Sequence, residues 1–437
     1  MKQRIMKWIT FSLVLALSLS LAACSGGASS SGASSAPASA GGSTAASEAG
    51  GDVVTVTWYE STDNQAMADA VAEAFNASRS DIQCEVVYIP QDSYDDKMKS
   101  LLAGGGSEVD VFHAGNVAPT NLYGSNGAVL DLAPYIATTD LDMSKLGGKE
   151  RFVTTEDGKT WGMPDGWGGW FLIYNKDIFD AAGEPYPEQL TWDEYVELAE
   201  KLTDHANGQW GGYQPNWIFN LYALQKGNYL DAEDITPLAE SLQLMKRMYD
   251  NSHMDIAEMQ ATGADPISMF ASGNVAMMIN GEWSFSQLRA EKDNNAMEVN
   301  WGATYLPVPE GVAPKTGVGG VSFQAISAGS EHPDEAWEFM EFLIGPEGAA
   351  CYANAGNLPA YVTDEVSEGY LNFHENMEAA HLPWDPELVI NSEQGTHPRY
   401  SELVSLLKQH AELYLLGETT IDEFTEDFLA DREAILG

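Results

Sequence analysis

The sequence predicts an α/β protein of two bodies, and three observations lead to this prediction. Strand and helix patterns alternate between Val53 and Phe112, and the alternation resumes after Trp161. The chain has 437 residues, and the part that follows a Ser/Gly/Ala-rich opening is too long for one hydrophobic core. Alternating strands and helices predict a mainly parallel sheet with helices on its faces.

The first body begins with a strand over residues 53–60, where apolar and polar residues alternate. A helix is predicted over 66–76 and a second strand over 83–89. Ser93 and Asp96 have the spacing of a capping box, so the next helix is predicted to begin there. A buried strand should follow over 109–112.

The second body is predicted from the same signals. Thr191 and Glu194 form another capping-box pattern before an amphipathic helix, and Thr236-Pro237 begins a longer one. Asn280-Gly281 is the dipeptide typical of a tight turn. The remaining predicted strands cover 171–175, 275–279, 299–306 and 317–327. Short helices are predicted after the strand at 171–175 and at PISMFASG, and further helices follow Pro333 and Tyr400.

The first residues have the order of a secretory signal peptide. Lys2, Arg4 and Lys7 precede an apolar run over residues 8–21. That run is shorter than the ~20 residues that a membrane-spanning helix needs. We therefore predict a signal peptide over residues 1–23.

Leu21-Ala22-Ala23-Cys24 resembles the bacterial lipobox. This resemblance implies that Cys24 becomes a lipidated N-terminus, and two acyl chains anchor a protein stably where one does not. Residues 24–51 are almost all Ser, Gly and Ala, which predicts a disordered linker. The expected location is the outer face of the cell membrane, with the lipid as the one membrane contact.

The charge balance excludes some partners. The chain has 65 acidic and 21 basic side chains, a net charge of −44. Such an excess argues against nucleic acid and against docking on anionic lipid by charge. Cys84 and Cys351 could pair in an exported protein or could be separate apolar thiols, and their spacing does not decide between these.

The sequence lacks the common signatures of catalysis. It has no P-loop, no nucleophile-elbow motif and no zinc-protease motif. Its eight histidines are scattered without metal-ligand spacing. We therefore predict a protein that is not an enzyme and that needs neither a metal nor a cofactor.

Four tryptophans stand in segments rich in glycine or polar residues: Trp167, Trp170, Trp217 and Trp283. Flat apolar rings beside short polar groups suit sugars, whose C–H faces stack while their hydroxyls form hydrogen bonds. Tryptophan also fills protein cores, which is the alternative for each of them.

Several stretches, taken in order, resemble the family 1 extracellular solute-binding proteins, the maltose-type receptors of ABC importers. They include YNKDIF and TWDE in residues 174–194, MFASGNVAMMINGEWS at 269–284, and HPDEAWEFMEFLIGPEG at 332–348 followed by GNLPA. The resemblance implies a two-lobe Venus flytrap fold with a ligand cleft and a hinge. It implies a first lobe of 52–166 and 320–362, and a second lobe of 167–319 and 363–437.

The resemblance also implies a carbohydrate ligand, an ABC importer permease as partner, and a monomer. His113 stands where maltose-type members have an aromatic residue, so the sugar need not be a maltooligosaccharide. The positions implied to contact ligand are Glu60, Thr62, Asp63, His113, Asn116, Trp167, Trp170, Gln214, Trp217, Trp283, Gly320, Val321, Ser322, Arg399 and Tyr400.

Two other functions stay open at the level of sequence. One is a binding protein for a different solute: Arg399 in the cleft would favour a polyol phosphate, whereas Glu60, Asp63 and Glu282 would favour a polyamine. The other is a secreted glycoside hydrolase, whose paired carboxylates cannot be located from sequence.

Overall fold

The computed structural model describes residues 53–263, 265–293, 298–375 and 377–437. The predicted signal peptide, Cys24 and the linker lie outside the described residues. The strands are β1 (Val54–Ser61), β2 (Ile82–Ile89), β3 (Val111–Gly115), β4 (Met163–Asn175), β5 (Met277–Gly281), β6 (Trp301–Tyr305), β7 (Thr316–Ile326) and β8 (Val389–Ser392).

The helices lie between and after these strands. They are α1 (Gln65–Ser78), α2 (Gln91–Ala103), α3 (Val117–Ser125), α4 (Ala133–Ile136), α5 (Lys176–Ala182), α6 (Trp192–Leu202), α7 (Leu221–Gln225), α8 (Thr236–Asn251), α9 (Ile256–Thr262), α10 (Pro266–Ala271), α11 (Ser284–Asp293), α12 (Pro333–Ile344), α13 (Pro346–Asn354), α14 (Asp364–Phe373), α15 (Tyr400–Leu415) and α16 (Ile421–Leu436).

The strands form a mixed sheet in the order β2-β1-β3-β7-β4-β5, with β6 beside β4 and β8 beside β7. β1 pairs in parallel with β2 and β3, as strand–helix–strand alternation predicts. β4 pairs antiparallel with β5, β6 and β7, so the second body departs from the mainly parallel sheet that we expected. The chain passes from β4 to β5 through α5–α10, and α11 separates β5 from β6.

The described part of the chain contains two large hydrophobic cores. One gathers residues of β1, α1 and the α12–α14 segment, including Trp58, Phe75 and Phe339. The other gathers residues of β4, β5, α6, α8 and α15, including Phe171 and Tyr195. The chain therefore has the α/β organisation around two cores that its length and patterns predict.

β4 and β7 connect the two cores. Residues 163–169 of β4 pair with β7, and residues 170–175 pair with β5 and β6. The two strands approach so closely that a Cβ on Gly319 would lie 2.1 Å from the Gly168 carbonyl oxygen. The lobe boundaries predicted at 166–167 and 319–320 fall in this pair, and they stay predictions.

Two local signals were misread. α2 begins at Gln91, and Ser93 donates a hydrogen bond to the Pro90 carbonyl in place of capping a helix at its own position. Asn280 and Gly281 form no turn, because they pair with Phe171 and Trp170 inside the sheet. By contrast, Thr191 and Glu194 form the predicted capping box of α6.

Cys84 is buried in the first core, and Cys351 is half-buried with its Sγ 3.7 Å from the Ala70 carbonyl oxygen. Both are free thiols, so the structure contains no bridge between them. Across the described residues, no helix has the length and apolar character that crossing a bilayer requires.

Candidate ligand-binding cleft

A cleft of about 660 Å³ lies along the strands that connect the two cores. Its walls come from both sides of the β4–β7 pair. Asp63 follows β1 and His113 lies in β3, whereas Trp217, Trp283 and Tyr400 come from the second body. Ligand sites for small molecules usually have volumes of about 300–1,000 Å³. The cleft therefore has the size of a small-molecule site.

The four tryptophans singled out in the sequence all line this cleft. Trp170 and Trp283 meet edge to face, with ring centroids 5.4 Å apart and an interplanar angle of 83°. Trp217 is the most accessible of the four at 48% exposed, whereas Trp170 is only 2% exposed. The indole N–H of Trp170 donates to Glu393, so its ring is fixed in place.

Two acidic side chains in the cleft are held by the protein itself. Asp165 accepts hydrogen bonds from the Gly166 N–H, from Gln324 Nε2 at 2.8 Å and from the Tyr352 hydroxyl at 2.7 Å. Glu393 accepts from Trp170, and burial raises the pKa of its carboxyl. Both groups are therefore fixed acceptors at the edge of the cavity.

Glu282 differs from them, because its Oε2 is buried and has no hydrogen-bond partner. The side chain is 6% exposed and lies in the turn between β5 and α11. Burial raises the pKa of this carboxyl to about 8, opposed by a hydrogen bond from the Trp283 backbone. At neutral pH the group is therefore mostly protonated, and it can donate a hydrogen bond into the cleft.

A buried amide organises the floor beneath the cleft. Gln324 donates through Nε2 to Glu60 Oε1 at 2.9 Å and to Asp165 Oδ2 at 2.8 Å. The indole N–H of Trp58 donates to Gln324 Oε1 at 3.0 Å, which fixes the orientation of the amide. Two buried carboxylates are therefore held together by one oriented donor group.

Glu60, His113 and Asp165 each offer an atom within 4.8 Å of the others, a spacing that could suit a metal ion. His113 Nδ1 lies 3.7 Å from Glu60 Oε1 and has no hydrogen-bond partner. Both carboxylates, however, already accept from the Gln324 amide. The donor set is thus committed to internal hydrogen bonds, and it does not fit a metal centre without rearrangement.

The acidic residues that line the cleft are Asp63, Asp95, Asp165, Glu282 and Glu393, and His113 is the one histidine among the described lining residues. Among the described residues, no lysine or arginine is part of this lining. An anionic ligand would therefore meet no positive partner on these walls.

The cleft collects most of the residues that the sequence predicted to contact ligand. Those that line it are Asp63, His113, Asn116, Trp167, Trp170, Trp217, Trp283, Gly320, Val321, Ser322 and Tyr400. Tyr400 also accepts a hydrogen bond from the Leu230 N–H, which gives it a structural role.

The other four predicted residues lie elsewhere. Thr62 is exposed, and Glu60 is buried beneath the wall. Gln214 is 2% exposed, and its amide donates to the Ile218 carbonyl inside the second core. Arg399 pairs with Glu402 on the surface at 2.6 Å.

Sequence reasoning missed three residues that shape the site, namely Asp165, Gln324 and Glu393. Asp165 stands two residues before Trp167, so its place in the same segment could have indicated that it lies near the site. Gln324 and Glu393 reach the cleft only through pairing of β7 with β4 and β8. No local pattern marks either of them.

Comparison with known proteins agrees with this geometry. The chain is 25% identical over 393 residues to the maltotriose-binding protein of Pyrococcus abyssi, which covers 82% of this chain and 81% of that protein. It is 22% identical over 314 residues to the lactose-binding protein of Rhizobium radiobacter, covering 67% of this chain and 71% of the relative.

A solved structure has the same architecture. The crystal structure of a sugar transporter from Rhizobium etli in an open conformation superposes with a TM-score of 0.75 at 25% identity. The superposition covers 88% of this chain and all of the Rhizobium chain, 100%. The two-lobe fold of the periplasmic sugar-binding proteins is thereby confirmed for this chain.

The family model described as bacterial extracellular solute-binding protein matches residues 70–379. The predictions of a binding protein and of a protein that is not an enzyme are both confirmed by this match. With its two cores, its connecting strands and the cleft along them, the chain belongs to the bacterial extracellular solute-binding protein family.

Proposed function

We propose that the protein captures a carbohydrate in the cleft and delivers it to an ABC importer. The observation that carries the proposal is the gathering of four tryptophans and several carboxyl groups in one cavity. Indole rings stack on the C–H faces of sugars, and oriented carboxyl groups accept from or donate to their hydroxyls. Relatives named for binding lactose and maltotriose support the same ligand class.

The charges of the cleft favour a neutral sugar. Asp165 and Glu393 act as acceptors for hydroxyl groups, and protonated Glu282 supplies a donor. A polyol phosphate is disfavoured, because Arg399 lies outside the cleft and is paired with Glu402. An oligosaccharide uses several stacking surfaces at once, which the partly or fully exposed rings of Trp167, Trp217 and Trp283 can provide.

A cationic solute is the second candidate, and the acidic lining favours it. Cations are attracted to carboxylates and to the faces of indole rings. The groups that would receive one are Asp63, Asp95 and the tryptophan faces. A ligand of this class would bind less tightly as salt concentration rises, whereas a neutral sugar would not.

The remaining parts of the proposal concern the setting of the protein. A lipid on Cys24 would hold the folded body at the outer face of the membrane, and the protein would act as a monomer. Ligand-driven closure about β4 and β7 would present the loaded form to the permease. The closed form would be favoured because it lets both walls of the cleft contact the ligand.

A thermal-shift screen of the purified protein tests the ligand class. The panel contains mono- and oligosaccharides, a polyol phosphate and a polyamine, each at a high and a low salt concentration. A ligand present at 100 times its Kd stabilises the protein by about 2.7 kcal/mol, which is easily measured. Stabilisation by neutral glycans supports the proposal, and stabilisation by the polyamine alone would replace it.

Turnover of the best glycan is followed by chromatography in the same samples. Steady release of shorter products would contradict a pure binding role. Trp217→Ala serves as the site variant, because the exposed ring lines the cleft and can be removed without opening a core. Its glycan affinity should fall at least tenfold, about 1.4 kcal/mol, if the cleft is the binding site.

A further inference from the structure

A second cavity, of about 410 Å³, borders the ligand cleft. The two cavities share the wall formed by Trp167, Gly320 and Val321. Its other walls come from the 3₁₀ turn at Lys149–Val153 and from the segment around Trp384 and β8. The family match and the proposed function leave this second cavity without a role.

The charge of this cavity is opposite to that of the cleft. Lys149 and Arg151 line it, whereas the cleft has neither lysine nor arginine among its described lining residues. Within the described part of the chain, no salt bridge joins either side chain to a carboxylate: Lys149 donates to the carbonyls of Leu146 and Ala360, and Arg151 to that of Gly148.

The acidic groups nearby do not neutralise this charge. Asp385 lines the cavity, but it is held by Lys315 at 2.8 Å and accepts from the Tyr305 hydroxyl. Burial lowers the pKa of the Lys149 ammonium, an effect that neighbouring Glu150 opposes, and Glu150 is not part of the cavity wall. Two basic side chains without a carboxylate partner among the described residues therefore line this cavity, in a chain of net charge −44.

Two tryptophan side chains in this wall have indole N–H groups without a hydrogen-bond partner. Trp167 Nε1 and Trp384 Nε1 are both buried without a hydrogen-bond partner, and both side chains line the cavity. Buried polar groups in native proteins are rarely left unpaired, so a missing partner needs an explanation. The rings meet edge to face with centroids 6.4 Å apart, and Val321, Val362 and Ile390 complete the apolar surface.

We propose that this cavity is a second binding site, for a small carboxylate that carries a flat apolar body. The carboxylate would lie against the guanidinium of Arg151 and the ammonium of Lys149, where charge-assisted hydrogen bonds form. The flat body would fill the space between the indole rings and the aliphatic side chains. An acidic cleft and a basic cavity thus stand side by side, and of the two it is the basic cavity whose lining suits an anion.

Calorimetric titration with naphthoate tests this site, with naphthalenemethanol as the uncharged match. Naphthoate should bind with one-to-one stoichiometry and a Kd below about 1 mM, as expected for a ligand of this size. The alcohol should bind at least about tenfold more weakly, because it lacks the charge. Equal affinity of the two compounds, or no binding of naphthoate, overturns the proposal.

Arg151→Gln should weaken naphthoate binding by about tenfold, since it removes one charge from the cavity. Arg247→Gln is the matched control, because Arg247 pairs with Asp193 and Glu200 on another surface. Screening of distant charges should keep the effect of the control below about twofold. Arg151 is exposed and Arg247 is partly exposed, so the variants are expected to fold, and an equal effect of the two contradicts the site.

Two more variants locate the bound naphthoate. Val362→Trp should abolish binding, because Val362 lines the second cavity and not the cleft. Trp217→Ala alters only the cleft and should leave naphthoate affinity unchanged. A loss with Trp217→Ala as large as that with Arg151→Gln would place naphthoate in the cleft and refute the second site.

Discussion

Glu282→Gln should make the protein more stable at neutral and basic pH while leaving its shape intact. The Glu282 carboxyl is 6% exposed and its Oε2 lacks a hydrogen-bond partner. Burial raises its pKa from 4.5 to about 8, so ionisation of this group opposes folding. Glutamine has the same size and never ionises, so the variant is free of this penalty.

The sign and size follow from proton linkage. Because the folded pKa is raised, the stabilising contribution of protonated Glu282 is complete below pH 4.5 and is lost as the pH rises through about 8. Each pKa unit corresponds to about 1.4 kcal/mol. The free energy of unfolding of Glu282→Gln, measured relative to that of the wild type, should therefore rise by about 3 kcal/mol between pH 4.5 and pH 7. The gain should level off above pH 8.

Urea unfolding of the unliganded protein at a series of pH values from about 5 to 9 measures this difference. Only the difference between variant and wild type is used, because other groups also titrate in this range. Glu310→Gln is the control, since Glu310 is exposed. A Glu282→Gln difference that stays constant with pH would show that the carboxyl is not buried as described and would refute the reasoning.

Three further predictions concern the cleft, its floor and the N-terminus. Trp283→Ala should lower glycan affinity at least tenfold, about 1.4 kcal/mol, because the half-buried ring lines the cleft. The melting midpoint of the unliganded variant should change less. A large drop in that midpoint with normal glycan binding would show that the role of Trp283 is structural. Gln324→Leu should cost about 3 kcal/mol in urea unfolding, since Glu60 and Asp165 lose their shared donor; a loss below about 1 kcal/mol would contradict that network. Mass spectrometry of the membrane fraction should find a lipid on Cys24, and a free thiol there would refute the anchor.

Much of the secondary structure was predictable because its causes are local. The capping box of Thr191 and Glu194 needs only residues three positions apart, and the structure contains it. β1 forms where the alternation predicts a strand, and its pairing with β2 is parallel as expected. The signals that failed, at Ser93 and Asn280-Gly281, were overridden by Pro90 and by pairing within the sheet.

The sequence by itself determined the two-body α/β organisation and which tryptophans stand in segments suited to a site. Only the tertiary structure decided how the cleft is assembled, because its parts are distant along the chain. Gln324 reaches Glu60 across 264 positions, and Trp170 reaches Glu393 across 223. Local patterns report short-range geometry and burial, whereas the pairing of β4 with β7 brings these side chains together. Arg399 and Gln214 lie outside the cleft, which no local sequence pattern indicated.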